Sequence, residues 1–186
     1  MIRIAALFVC ALTAACSQTL DSGPAMQTRG YAFAPPAFKA FCAKEKALCS
    51  TRGASKVVEL TDERKAELVK VNASVNRRIA QRSDLKTTGQ DDKWDLPRKE
   101  GDCEDFAILK KSELIKHGWP ASALLLTVAR SGSEGHTVLT ARTSEGDLVL
   151  DNMTSAIRNW SRTPYRYFAR QSQSNGSTWE RIGSAS

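Results

Sequence analysis

The chain has 186 residues, 41% of them hydrophobic and 25% charged, enough for one ordinary domain with a real core. Its formal charge is +7, and removing Arg3, the only charge among the first fifteen residues, leaves +6. The Lys and Arg residues are scattered among acids with no interleaved aromatic stripe, so the surface reads as basic and soluble and not as a nucleic-acid site.

Residues 1–15 read as an export signal: Arg3 is the charged start, Ile4 to Leu12 an apolar run too short to span a bilayer, and Thr13-Ala14-Ala15 a small-residue cleavage zone. Cys16 follows at once. Thr13-Ala14-Ala15-Cys16 resembles a lipobox, with Thr13 where a large aliphatic residue is usual. Lipidation of Cys16 would anchor a periplasmic protein to the outer membrane, and Ser17 is compatible with that sorting. Cleavage after Ala15 would give soluble secretion. Residues 16–37 are rich in Ser, Gly, Pro, Gln and Thr and read as a flexible tether. The folded domain is expected over 38–186.

An exported chain meets an oxidising compartment. Of the five cysteines, Cys10 lies in the leader and Cys16 is the lipidation candidate. Cys42 and Cys49 are near in sequence and can close a small loop, so a disulfide is expected between them. Cys103 is left over, either reactive or buried and inert.

Val57 to Leu60 reads as a short extended entry. Thr61 is a good N-cap, with Asp62 and Glu63 in the first turn. Leu68, Val71, Asn72, Val75 and Ile79 recur at helical spacing and predict an amphipathic helix from about residue 62 to 82. Asn72 and Asn76 read as partly buried amides satisfied by backbone. Residues 83–101 are polar and turn-rich; Trp94 there walls a cleft or plugs the core edge. A second, largely enclosed helix starts near Cys103 and ends at Gly118. His117, in its last turn, reads as structural. Strands follow at Ala123 to Arg130, His136 to Arg142 and Leu148 to Asp151, a β-meander, with two more at Thr163 to Gln171 and Thr178 to Ile182.

Cys103, at a helix start, with His136 on one strand and Asp151 on the next, has the order of a cysteine-nucleophile triad. The thiolate is the reactive form, and a helix N-terminus and an imidazolium lower a thiol pKa. If the hairpin axis falls at Thr143-Ser144, His136 and Asp151 lie directly opposite. If the turn is Glu145-Gly146 they are offset by about four residues, ~13 Å, too far to bond. On this reading a triad needs the first register or a bulge. Asp102, Glu104 and Asp105 oppose the thiolate by like charge. They either face solvent and the helix N-terminus or hold a hard cation.

Gly101-Asp102-Cys103-Glu104-Asp105-Phe106-Ala107, Gly135-His136-Thr137-Val138-Leu139 and Leu150-Asp151-Asn152 resemble the bacterial transglutaminase-like cysteine proteinase family. So do Val71-Asn72-x-x-Val75-Asn76-x-x-Ile79, Trp94-x-x-Pro97, Thr163-Pro164-Tyr165-Arg166-Tyr167 and the Cys42 and Cys49 pair. The resemblance implies a papain-like or transglutaminase-like α+β fold, with N-terminal helices packed on an antiparallel sheet. It implies a Cys103–His136–Asp151 triad and a Ca2+ site at Asp102, Glu104 and Asp105. It also implies a periplasmic protease that cuts a surface adhesin and releases biofilm cells, held in check by an inner-membrane cyclic-di-GMP receptor. The expected function is therefore an exported, calcium-dependent cysteine endopeptidase acting on an envelope protein. A transglutaminase or amidase would use the same acyl-enzyme chemistry, and a non-catalytic envelope binding module is the third reading.

Overall fold

The computed structural model describes residues 22–83 and 92–183. The export leader, Cys16 and the first part of the expected tether lie outside them. Among the described residues four helices, α1 (Phe38–Lys44), α2 (Lys46–Cys49), α3 (Asp62–Arg78) and α4 (Cys103–Lys116), cover one face of an antiparallel sheet. Its strands are β1 (Thr28–Ala32), β4 (Leu124–Ser131), β5 (Glu134–Thr143), β6 (Gly146–Leu150), β7 (Arg158–Asn159), β8 (Arg166–Gln171) and β9 (Trp179–Ile182). They lie in the order β1-β9-β8-β4-β5-β6-β7. A separate short parallel pair joins β2 (Ala80–Gln81) to β3 (Glu100–Gly101). No described helix is long and apolar enough to cross a membrane. The α+β class expected from the sequence is the one observed.

Local chemistry explains the helix that carries the thiol. Gly118 adopts φ +80°, and the Gly118 and Trp119 N–H groups return to the Ile115 and Leu114 carbonyls. This paired closure satisfies carbonyls the helix end would otherwise leave open. From Glu104 to Ser112 every residue of α4 is buried, because helices and sheet enclose it. Its enclosed face includes Lys111, whose ammonium donates to Gln171 Oε1 at 3.0 Å. Gln171 also accepts from Leu126 N–H and donates to the Cys49 and Gly176 carbonyls, so this buried amide is fully used. His117 is the C-cap, at the end of α4 opposite Cys103.

Three expectations change. Helix α3 stops at Arg78 and not near 82, because Ile79 turns extended (φ −99°, ψ 127°) and residues 80–81 pair with β3. The meander holds only through β4, β5, β6 and β7; the chain then crosses the sheet so that β8 pairs with the far side of β4. Within the expected tether, residues 23–32 are docked on the sheet. Gly23 N–H bonds to the Glu145 carbonyl, Met26 N–H bonds to Asp147 Oδ2 at 2.8 Å, and Asn159 and Trp160 both donate to the Pro24 carbonyl. Residues 28–32 then form an edge strand on β9. The polar composition signals a loop, whereas the docking rests on backbone groups and on one buried side chain, Met26, 2% exposed.

The main core lies between helices and sheet. A smaller cluster of Met26, Val138, Val149, Trp160 and Ile182 packs on the opposite face, with Tyr165 and Tyr167 against it. Trp94 does both things its position allowed: it packs on Phe38, Phe41 and Trp179, and it lines the cleft that holds Cys103. Cys42 and Cys49 are bonded, with their Cα atoms 5.1 Å apart, and Cys103 is a free thiol.

Candidate active site

Cys103 is the first residue of α4, where first-turn N–H groups have no acceptor within the helix. Its thiol lies in a cleft of about 340 Å³ walled by Pro35, Asp92, Trp94, Glu104, His136 and Thr137. Two roomier clefts, about 500 Å³ beside Trp160 and about 550 Å³ beside the disulfide, are lined by neither a free thiol nor an imidazole. Chemistry, not size, therefore marks the site.

Strands β5 and β6 pair in a register between the two considered. Thr143 faces Gly146, so the turn is Ser144-Glu145, and Leu139 faces Leu150. His136 and Asp151 are thus neither opposite nor four residues apart but offset by two. Diagonal neighbours on one face are within reach of long side chains. Asp151 has also left the strand, and His136 Nε2 donates to its Oδ1 at 3.0 Å. The requirement for a directly opposed register or a bulge was wrong for that reason. With Nε2 committed to Asp151, Nδ1 is the ring nitrogen left for the cleft.

Asp151 is 2% exposed and heavily bonded. Oδ1 also accepts Met153 N–H at 3.0 Å, and Oδ2 accepts the Tyr165 hydroxyl. Burial pushes the carboxyl up, but the bonds from His136, Tyr165 and Met153 outweigh it and hold it below its ordinary value. The Asn76 amide donates to the Asp151 and Thr154 carbonyls, and Asn72 to those of Thr154 and Ser155, so α3 pins the loop after Asp151.

The helix side is electrostatically different. Glu104 and Asp105 are only 6% and 4% exposed. Asp102 occupies the N-cap position, yet its side chain makes no capping bond. Glu104 and Asp105 therefore do not face solvent. One carboxylate oxygen from each of the three lies within 4.8 Å of the others. Burial and the neighbouring Asp102 carboxyl raise the Glu104 pKa above its ordinary value. The Cys103 thiol donates to Glu104 Oε2 at 3.4 Å. Burial, then the Glu104 and Asp102 charges, push the thiol far up, and only the Thr137 N–H works the other way. Gly101 is needed beside this cluster: a Cβ there would lie 2.5 Å from Asp105 Oδ2. Two buried carboxyls and the half-buried one of Asp102 form an all-oxygen donor set suited to a hard cation.

The family profile of the bacterial transglutaminase-like cysteine proteinases matches residues 28–186. The chain belongs to that family. It is a cysteine protease, and a protein substrate follows from that. Solved structures of Legionella pneumophila LapG are similar to this proteinase. The calcium-bound form is 28% identical, with a TM-score of 0.52 over 74% of this chain and 77% of that one. The EGTA-treated form is 29% identical, with a TM-score of 0.50 over 74% and 75%. No curated protein matches the chain. The fold of this proteinase is thus transglutaminase-like.

The sequence pointed to Cys103, His136, Asp151 and the three acids as candidates. It assigned no role to Tyr165, although Tyr165 stood in a quoted motif, and it did not foresee the Glu104 bond to the thiol. The crossover from β7 to β8 brings Tyr165 to Asp151, and sequence distance alone does not show that path.

Proposed function

We propose that this protein is an exported cysteine endopeptidase in which Cys103 is the nucleophile, His136 the general acid and base, and Asp151 the orienting carboxylate. One observation carries this reading: a helix-N-terminal thiol shares a cleft with an imidazole whose far nitrogen is bonded to a buried carboxylate. His136 Nδ1 takes the thiol proton, and the sulfur attacks the scissile carbonyl carbon. The Cys103 backbone N–H donates to the resulting oxyanion. The tetrahedral intermediate collapses as His136 gives its proton to the leaving amine, leaving a thioester. His136 then removes a proton from water, which hydrolyses the thioester and frees Cys103. Throughout, Asp151 holds Nε2–H and so keeps Nδ1 facing the reaction.

Asp102, Glu104 and Asp105 would hold calcium. Bound there, it would supply the positive charge that the three carboxyls lack and ease ionisation of the adjacent thiol. The similar LapG structures are described as calcium-bound and EGTA-treated, which supports this reading. The substrate we propose is a periplasmically accessible surface adhesin, with an inner-membrane receptor as inhibitor. Cys16 would be lipidated and hold the enzyme at the outer membrane. The test incubates envelope extract with the parent protein or Cys103→Ala, in calcium or EGTA, and maps new N-termini. Cleavage only with the parent in calcium is expected. Equal cleavage by Cys103→Ala would remove the catalytic assignment.

A further inference from the structure

We propose that Tyr165 is a positioning residue of the active site, one that fixes the rotation of Asp151 and thereby the orientation of His136. The inference rests on the Cys103–His136–Asp151 reading above and adds a fourth member to it.

The geometry carries the argument. A carboxylate can turn about its last bond and offer either oxygen, or neither, to an imidazole. Here the two oxygens are separately engaged. Oδ1 takes His136 Nε2 and Met153 N–H, while Oδ2 takes the Tyr165 hydroxyl. Donors on both oxygens fix the plane of the carboxylate. Without the hydroxyl, a buried Oδ2 loses its side-chain donor, and a buried acceptor without a donor favours rotation or protonation. The Tyr165 ring also packs on the imidazole, with centroids 4.8 Å apart and planes at 55°. One side chain therefore restrains both partners of the His136–Asp151 bond.

A packing role alone does not explain this arrangement. Tyrosines at a surface usually bury the ring and leave the hydroxyl in water. Tyr165 differs: its ring is partly buried and lines two clefts, while its hydroxyl points inward to a buried carboxylate and not to water. Its approach is preset. Pro164 confines Thr163 to extended backbone (φ −90°, ψ 156°), which delivers Tyr165 after the short turn at Trp160–Arg162. Thr163 is itself tied to the Trp160 carbonyl and the Tyr167 hydroxyl. Burial and the Asp151 charge raise the Tyr165 pKa, so the hydroxyl stays a donor.

The experiment compares the parent protein, Tyr165→Phe, Asp151→Asn and the double variant. The readouts are hydrolysis of labelled casein and the ring ¹⁵N spectrum of His136. The chain has two histidines, so a His117→Gln background leaves one imidazole. Tyr165→Phe keeps the ring and removes one oxygen, and the spectrum is read on folded protein. We expect kcat to fall about tenfold with KM within about twofold, the size of one lost hydrogen bond to a charged group. The spectrum should change from one tautomer to a mixture. In the double variant the loss should match that of Asp151→Asn alone, since Tyr165 acts through Asp151. An unchanged kcat and spectrum in Tyr165→Phe, or losses that multiply in the double variant, would overturn the proposal. If the parent in calcium cuts neither casein nor any protein of the envelope extract but the spectrum still responds to Tyr165→Phe, the positioning stands and the protease reading loses its support. If the parent cuts casein and Tyr165→Phe matches it in both readouts, the reverse holds.

Discussion

The two walls of the cleft are built to different degrees of completion. On the sheet side, His136, Asp151, Tyr165 and the Met153 N–H form a closed network in which the one buried charge has three donors. On the helix side, Cys103 sits among Asp102, Glu104 and Asp105, and both Cys103 and Glu104 are pushed toward their neutral forms. A buried carboxylate is stable when donors surround it and costly when other carboxylates do. The sheet wall is thus organised by the chain alone. The helix wall has the composition of a site that a cation from outside would complete, and the proposed nucleophile, Cys103, sits on that wall.

The comparison can be broken by substitution. Cys103→Ala should abolish hydrolysis and leave the melting temperature near that of the parent, since one small side chain replaces another; circular dichroism and casein cleavage check both. His136→Ala should cost at least ~10²-fold in kcat/KM, the usual size of a lost general base. Gly101→Ala should lower stability by about 1–3 kcal/mol, the range of overpacking, because its Cβ meets Asp105. Denaturant melts would show this, and the response to calcium should weaken in parallel.

The two walls should also differ in their response to pH. The Asp151 carboxyl is held below its ordinary 3.8, so it contributes stability above that value and loses it as pH falls through the lowered folded pKa. Glu104 is held above its ordinary 4.5, so its contribution is complete below that value and is lost as pH rises through the raised folded pKa. Melting temperatures from pH 2 to 9, in EGTA and in calcium, separate the two. Calcium should flatten the alkaline decline and leave the acid one in place. Identical profiles in both buffers would remove the charge argument for the helix wall. The smallest expected effect is on mass: alkylation of the unreduced, unfolded domain should label Cys103 and spare Cys42 and Cys49.

Much of this arrangement was legible in the sequence where the signal is local. Thr61 and Gly118 set helix ends through hydrogen bonds within a few residues, and α4 announced its burial by its apolar residues. The helix-start position of Cys103 followed from the same punctuation. What the sequence left open depended on long-range pairing. The β5–β6 register turns on which two residues form the turn, and Ser144-Glu145 carries no glycine to mark it. Docking of residues 23–32 depends on the Pro24 carbonyl meeting Asn159 and Trp160 and on β1 pairing with β9, all more than a hundred residues away. Tyr165 reaches Asp151 only because the chain crosses the sheet after β7.

The most direct test of the account is the alkylation rate of Cys103 by iodoacetamide at pH 7, measured in calcium and in EGTA for the parent and for His136→Ala. The account predicts fast labelling of the parent in calcium, slow labelling in EGTA, and slow labelling of His136→Ala in both. Equal rates for the parent in the two buffers, together with a parental rate in His136→Ala, would contradict it.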